Sequence, residues 1–160
     1  MKFRNNEFNV TLEFKSPDRE LEVAQVWDRL VDWEGQSDWM FQTKVWSDLS
    51  GEHENGVGIK IWALTGLFAK KFPSAKLGLL DEMVVTKWQP PLFCEVDHVG
   101  RIIKGLGTFR LEPIEGGIRF HWFERIAAPW PLLLLVRPGI LAGVHISLRR
   151  LRRLVLTTNN

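Results

Sequence analysis

From Glu7 to Phe14 the chain alternates, with Phe8, Val10, Leu12 and Phe14 apolar and Glu7, Asn9, Thr11 and Glu13 polar. A period of two predicts a strand over Phe3 to Phe14 with one buried face. Ser16-Pro17-Asp18 then supplies a helix start, Ser16 capping and Pro17 already at the helical φ, and Val23, Val26, Trp27 and Leu30 follow at helical spacing. That helix is expected to run to Val31 or Asp32. The Asp32 to Gln36 stretch breaks it, and Ser37-Asp38-Trp39-Met40-Phe41 reads as a short second helix capped by Ser37. From Lys44 onward the pattern is apolar run and turn, repeated: Lys44 to Leu49, Ile59 to Leu64, Gly78 to Trp88, Leu92 to Val99, Ile102 to Leu111 and Ile118 to Ile126. Pro90-Pro91, Gly100-Arg101 and Glu115-Gly116-Gly117 punctuate these runs, and Pro129 and Pro131 end the sheet because proline cannot donate to a ladder. Leu141, Val144, His145, Leu148, Leu151, Arg152 and Val155 approximate one face of a final helix, with Pro138 marking either a kink or its true start.

The expected order is one strand, two short helices, six strands and one long helix. Segregated strands and helices argue for α+β, and turns this short imply an antiparallel meander of about seven strands. No internal repeat, low-complexity tract or linker is present, so residues 1–160 read as one domain. A domain of that length buries roughly 70% of the surface its unfolded chain exposes, enough for one core.

Charge narrows the picture only slightly. With 21 basic and 19 acidic residues the net charge is +2, which does not point to nucleic acid. The single Cys94 forms no disulfide within the chain and is read as a small buried apolar residue. With no zinc-like spacing and no signal-peptide pattern at the polar N-terminus, a reducing cytoplasm is the expected compartment. Trp130 to Leu148 is interrupted by Arg137-Pro138-Gly139 and His145, so it reads as a buried helix rather than a membrane span. Eight Trp and ten Phe with no Tyr supply large apolar surfaces suited to a core or a pocket lining. No glycine-rich phosphate loop, nucleophile elbow, metal-ligand cluster or dinucleotide fingerprint occurs, so neither a metal nor a cofactor is expected.

In its segments the chain resembles the START-related SRPBCC superfamily, which includes the birch-pollen allergen fold and the polyketide cyclase/dehydrase proteins. The resemblance lies in Ser16-Pro17 followed by Val26-Trp27-Asp28-Arg29-Leu30, in Asp32 with Trp39, and in Asp81-Glu82 through Trp88-Gln89-Pro90-Pro91. His98-Val99-Gly100, Gly105-Leu106-Gly107, Trp122-Phe123-Glu124 and Ser147-Leu148-Arg149-Arg150-Leu151 look like the forms in bacterial, particularly actinobacterial, members. The resemblance implies a helix-grip fold: a curved sheet around the C-terminal helix, and between them a cavity that in different members takes lipids, polyketides, sterols or quinones.

Strand parity selects the polar residues of such a cavity. Cys94, Val96 and His98 share one face, the more apolar one, so His98 is expected to point inward, either as a ligand-facing acid or base or as a histidine satisfied by a neighbour. Glu124 shares parity with Ile118, Phe120 and Trp122, and either joins His98 as an acid–base pair or bridges to an arginine such as Arg101 or Arg110. Of the adjacent Asp81 and Glu82 at most one can join. Trp62 and Trp122 are the preferred aromatic liners, completing a ligand-binding set of Trp62, Val96, His98, Phe120, Trp122 and Glu124, with His98 and Glu124 as catalytic candidates. The basic segment Phe68 to Leu77 falls where this fold places an entrance loop and reads as a lid or an ordinary surface loop.

Three functions follow. The first is binding or transport of a small apolar molecule, lipid, polyketide or quinone-like. The second is a cyclase or dehydratase using His98 or Glu124 to move a proton. The third is an interaction module with a filled cavity, making a weak membrane, protein or homo-oligomer contact through Arg149 to Arg153 and the basic loop.

Overall fold

The computed structural model describes residues 2–51, 53–72 and 78–157. Seven antiparallel strands form one sheet in the order β1-β7-β6-β5-β4-β3-β2. They are β1 (Phe3–Lys15), β2 (Thr43–Ser47), β3 (Lys60–Thr65), β4 (Leu79–Gln89), β5 (Phe93–His98), β6 (Lys104–Ile114) and β7 (Gly117–Pro129). Between β1 and β2 lie the short helices α1 (Val23–Val31) and α2 (Gln36–Trp39), and α3 (Trp130–Thr157) closes the chain. The sheet curls around the C-terminal helix, an α+β arrangement of the helix-grip kind. The β2 to β7 segment is the expected meander, while β1 returns to pair with β7 along its whole length, from Phe3 opposite Pro129 to Lys15 opposite Gly117.

Apolar periodicity explains what each element buries. β7 buries Ile118, Phe120, Trp122 and Glu124 in strict alternation. α3 buries Val144, Leu148, Leu151 and Val155 at spacings of three and four, one stripe facing the sheet. α1 buries Val26, Trp27, Leu30 and Val31. Tryptophan fills the space between the layers. Trp27 and Trp33 pack on Trp88 at 5.1 and 6.4 Å, and Trp122 meets Phe8, Trp39 and Phe109 edge to face.

Two helix starts differ from expectation, and the place of Pro138 in the third helix is resolved. α1 begins at Val23 after Glu22, not at Pro17, because Asp18 to Glu20 place no apolar residue at helical spacing; Arg19 instead donates to the backbone carbonyl of Val155 at 2.8 Å. α2 starts after Gly35, and the Ser37 hydroxyl bonds to the Val45 backbone on β2 rather than capping. Pro138 lies inside α3, whose helix already begins at Trp130.

Candidate functional site

The four central strands place their inward side chains around one buried histidine. On β5, His98 stands opposite Met83 of β4 and Gly105 of β6. On β6, Gly107 stands between Val96 of β5 and Glu124 of β7. The inward positions of β6 at this level thus carry no side chains, and His98 and Glu124, separated by an entire strand, meet above it. Glycine at 107 is required sterically, since a Cβ there would lie 2.6 Å from Glu124 Oε2. Gly105 has φ +140°, a conformation L side chains rarely adopt, and a Cβ on it would strike the Arg125 carbonyl.

His98 is bonded on both ring nitrogens. Nδ1 is 2.8 Å from Asp81 Oδ2 and 3.0 Å from Asp81 Oδ1, and Nε2 is 2.8 Å from Glu124 Oε2. The Trp122 indole N–H donates to the other Glu124 oxygen, Oε1, at 2.7 Å. Burial by itself would push the His98 pKa down. Hydrogen bonds to Asp81 and Glu124, together with their charges, outweigh it and raise the pKa to about 10. At neutral pH the imidazole is therefore a cation donating through both N–H groups, one toward Asp81 and one toward Glu124. His98 is thus held by Glu124 and, of the acidic pair on β4, by Asp81.

In front of this row lies a cavity of about 50 Å³, lined by Trp33, Met40, Ile61, Met83, Cys94 and Phe109 among other apolar groups. Gln36, Thr108 and Glu124 are its polar lining residues, and Glu124 is the charged one. Burial pushes the Cys94 thiol up to about 12, so it faces the cavity as an inert, protonated group. Of the expected ligand-facing set, Val96, Trp122 and Glu124 line the cavity. His98 stands behind Glu124 and does not reach it. Trp62 is a correction: Ile61 and Ala63 line the cavity, so the residue between them points to the other face, where its ring stacks on Trp46 at 6.3 Å. Phe120 is also placed differently, fully buried against Phe109 and outside the lining. Gly105 and Gly107, singled out in the sequence only for the resemblance, have a steric role that sequence reasoning missed: their spacing of two within a strand clears the space in which His98 and Glu124 meet. Of the segment expected as a lid or an ordinary surface loop, Phe68 to Phe72 form a surface turn, and residues 73–77 lie outside the described part. In the expected arginine cluster, the Arg150 guanidinium lies over the Phe41 ring at 5.4 Å.

No family model and no curated protein matches the chain. Solved structures match its shape. Protein Ms6760 from Mycobacterium smegmatis superposes with a TM-score of 0.66 at 13% identity, covering 96% of this chain and 93% of that one. A protein from Arthrobacter aurescens gives 0.65 at 17%, covering 93% and 85%. The di-domain ARO/CYC StfQ from the steffimycin biosynthetic pathway gives 0.65 at 11%, covering 93% of this chain and half of StfQ. At these identities the likeness establishes the fold. Among the described residues no helix is long and apolar enough to cross a membrane.

Proposed function

We propose that the protein, as an SRPBCC-like domain, binds a small, largely apolar molecule between sheet and helices and orients it through Glu124. The observation that carries this reading is the solitary carboxylate in an apolar lining. One Glu124 oxygen accepts from His98 and the other from Trp122, which fixes the group in place and leaves lone pairs toward the cavity. A carboxylate only accepts hydrogen bonds. The favoured ligand therefore carries a hydroxyl or another donor, which fits a phenolic polyketide-like or hydroxylated lipid better than a quinone, whose carbonyls also only accept. A volume of about 50 Å³ has room for about three or four waters. Larger ligands enter by displacing Met40 and Met83, flexible thioethers that repack readily.

The test compares p-cresol with toluene by calorimetry. The hydroxylated ring is expected to bind about tenfold more tightly, the worth of one charge-assisted hydrogen bond. Glu124→Gln is expected to abolish the preference; equal affinities for both rings in the unaltered protein overturn the reading.

The same geometry favours one catalytic alternative, in which Glu124 takes a proton from a bound ligand. His98 is then a positioning residue, since both its N–H groups are engaged and it stands behind the carboxylate. Hydrogen–deuterium exchange at an acidic C–H of a cavity-bound ketone, lost in Glu124→Gln, is the outcome that supports it; exchange at the solvent rate excludes it.

A further inference from the structure

The large apolar side chains left exposed on this molecule are concentrated at one end. Phe3, Leu67, Phe68, Phe72, Val99, Ile102, Trp130, Leu134 and Leu141 are exposed, Leu67 to 75% and Leu134 to 60%; only Val57 and Leu92 among the exposed set lie elsewhere. Strand pairing brings them together. Thr65 opposite Leu79 starts the β3–β4 connection, and the backbone bond from Val99 N–H to Glu82 C=O sets the β5–β6 turn beside it. Lys104 opposite Ala127 and Phe3 opposite Pro129 bring the start of β1 and the start of α3 to the same edge. Trp130, Leu134 and Leu141, at spacings of four and seven, then share one face of α3.

The four segments forming this end, residues 2–5, 66–72, 99–104 and 130–142, contain no Asp or Glu. Lys2, Arg4, Lys70, Lys71, Arg101 and Lys104 are exposed within them. Arg4 lies over the Trp130 ring at 5.9 Å and Lys71 over Phe72 at 5.6 Å, so cation and aromatic are presented as pairs. Lys70 is crowded by further positive charge: its pKa is lowered first by burial and then by Arg150, with Lys44 adding to and Asp38 opposing the effect.

We propose that this end docks on the surface of an anionic lipid bilayer, with the apolar tips among the headgroups and the cations against phosphate. Apolar side chains rimmed by lysine and arginine, in segments that carry no acidic residue of their own, are the chemistry of an interfacial anchor. Charge decides against a second copy of the chain, because an isologous contact would set each basic rim against itself. The proposal is independent of what the cavity holds.

Flotation of the whole protein with vesicles of phosphatidylcholine alone, or mixed with phosphatidylglycerol, tests it. Binding is expected to the mixed vesicles only, to weaken as salt is raised, and to fall about tenfold in Leu67→Asp/Phe68→Asp and in Leu134→Asp, as burial of a few apolar side chains requires. Lys70→Glu/Lys71→Glu should reduce binding comparably, while Arg110→Glu, at a residue that pairs with Phe93 at the opposite end of β5 and β6, should leave it unchanged. Melting curves of the variants report whether each remains folded. No flotation with anionic vesicles, flotation unaffected by the apolar variants, or a dimer abolished by Leu134→Asp in a protein that ignores vesicles each overturns the proposal.

Discussion

The central strands and the end formed by the β3–β4, β5–β6 and β7–α3 connections invert the usual distribution of polarity in opposite ways. Inside, buried His98 and Glu124, with half-buried Asp81 beside them, put three ionisable groups where hydrocarbon is expected. Outside, Leu67, Phe68 and Leu134 put hydrocarbon where water is. The interior inversion is answered within the chain, since each His98 nitrogen has a carboxylate and Glu124 has Trp122 besides. The exterior one is answered by nothing among the described residues. Groups that partner one another report on the folded state itself, whereas groups left without partners report on something the molecule meets.

The comparison is broken most directly at Glu124. Glu124→Ala leaves a buried imidazolium with one carboxylate instead of two, and unfolding by urea should show a loss of about 3 kcal/mol. Replacing Asp81, His98 and Glu124 together by leucine should cost far less, because no orphaned charge remains; a triple variant as unstable as the single one would mean the row holds the sheet together. Next is pH. The His98 pKa rises from 6.5 when unfolded to about 10 when folded, so its stabilisation is fully present below pH 6.5 and is lost as pH climbs toward 10. The loss should be on the order of 3 kcal/mol between pH 6.5 and 9 and absent in His98→Gln. Cys94, raised to about 12 from 9, contributes a fall of its own only above pH 9, so the lower window isolates the histidine. Gly107→Ala should follow at about 2 kcal/mol, the added methyl forcing Glu124 off His98. The smallest effect belongs to the exterior: Leu67→Asp should change stability by no more than about 0.5 kcal/mol, since its side chain is already in water.

Much of this architecture is legible in the residues. The alternation in β1 and β7 identifies their buried faces, and parity alone turns His98 and Glu124 inward. It fails where both faces of a strand are apolar. In β3, Ile61, Trp62, Ala63 and Leu64 show no alternation, so the residues do not tell that the Trp62 ring lies outside against Trp46. In β4, Leu79 to Val85 are apolar on both sides of the acidic pair, and only the pairing of Met83 with His98 tells which carboxylate turns in. Ser16-Pro17 carries real turn chemistry, but a helix needs a packing face, which begins at Val23. The basic apolar end escapes a linear reading altogether, because its four segments are far apart in the chain and are gathered only by strand register.

The partnership of β1 with β7 also sets an order of events. Phe3 faces Pro129, so the first of the seven strands to be made must wait until nearly the whole sheet exists before it finds its partner. The β2 to β7 meander has only neighbouring strands to join and can assemble as it is made, whereas β1 must close a loop of more than a hundred residues, which slows folding and leaves an open strand available to other chains. The polar residues alternating along it, Glu7, Asn9, Thr11 and Glu13, keep one side of that waiting strand wet and unattractive to another sheet.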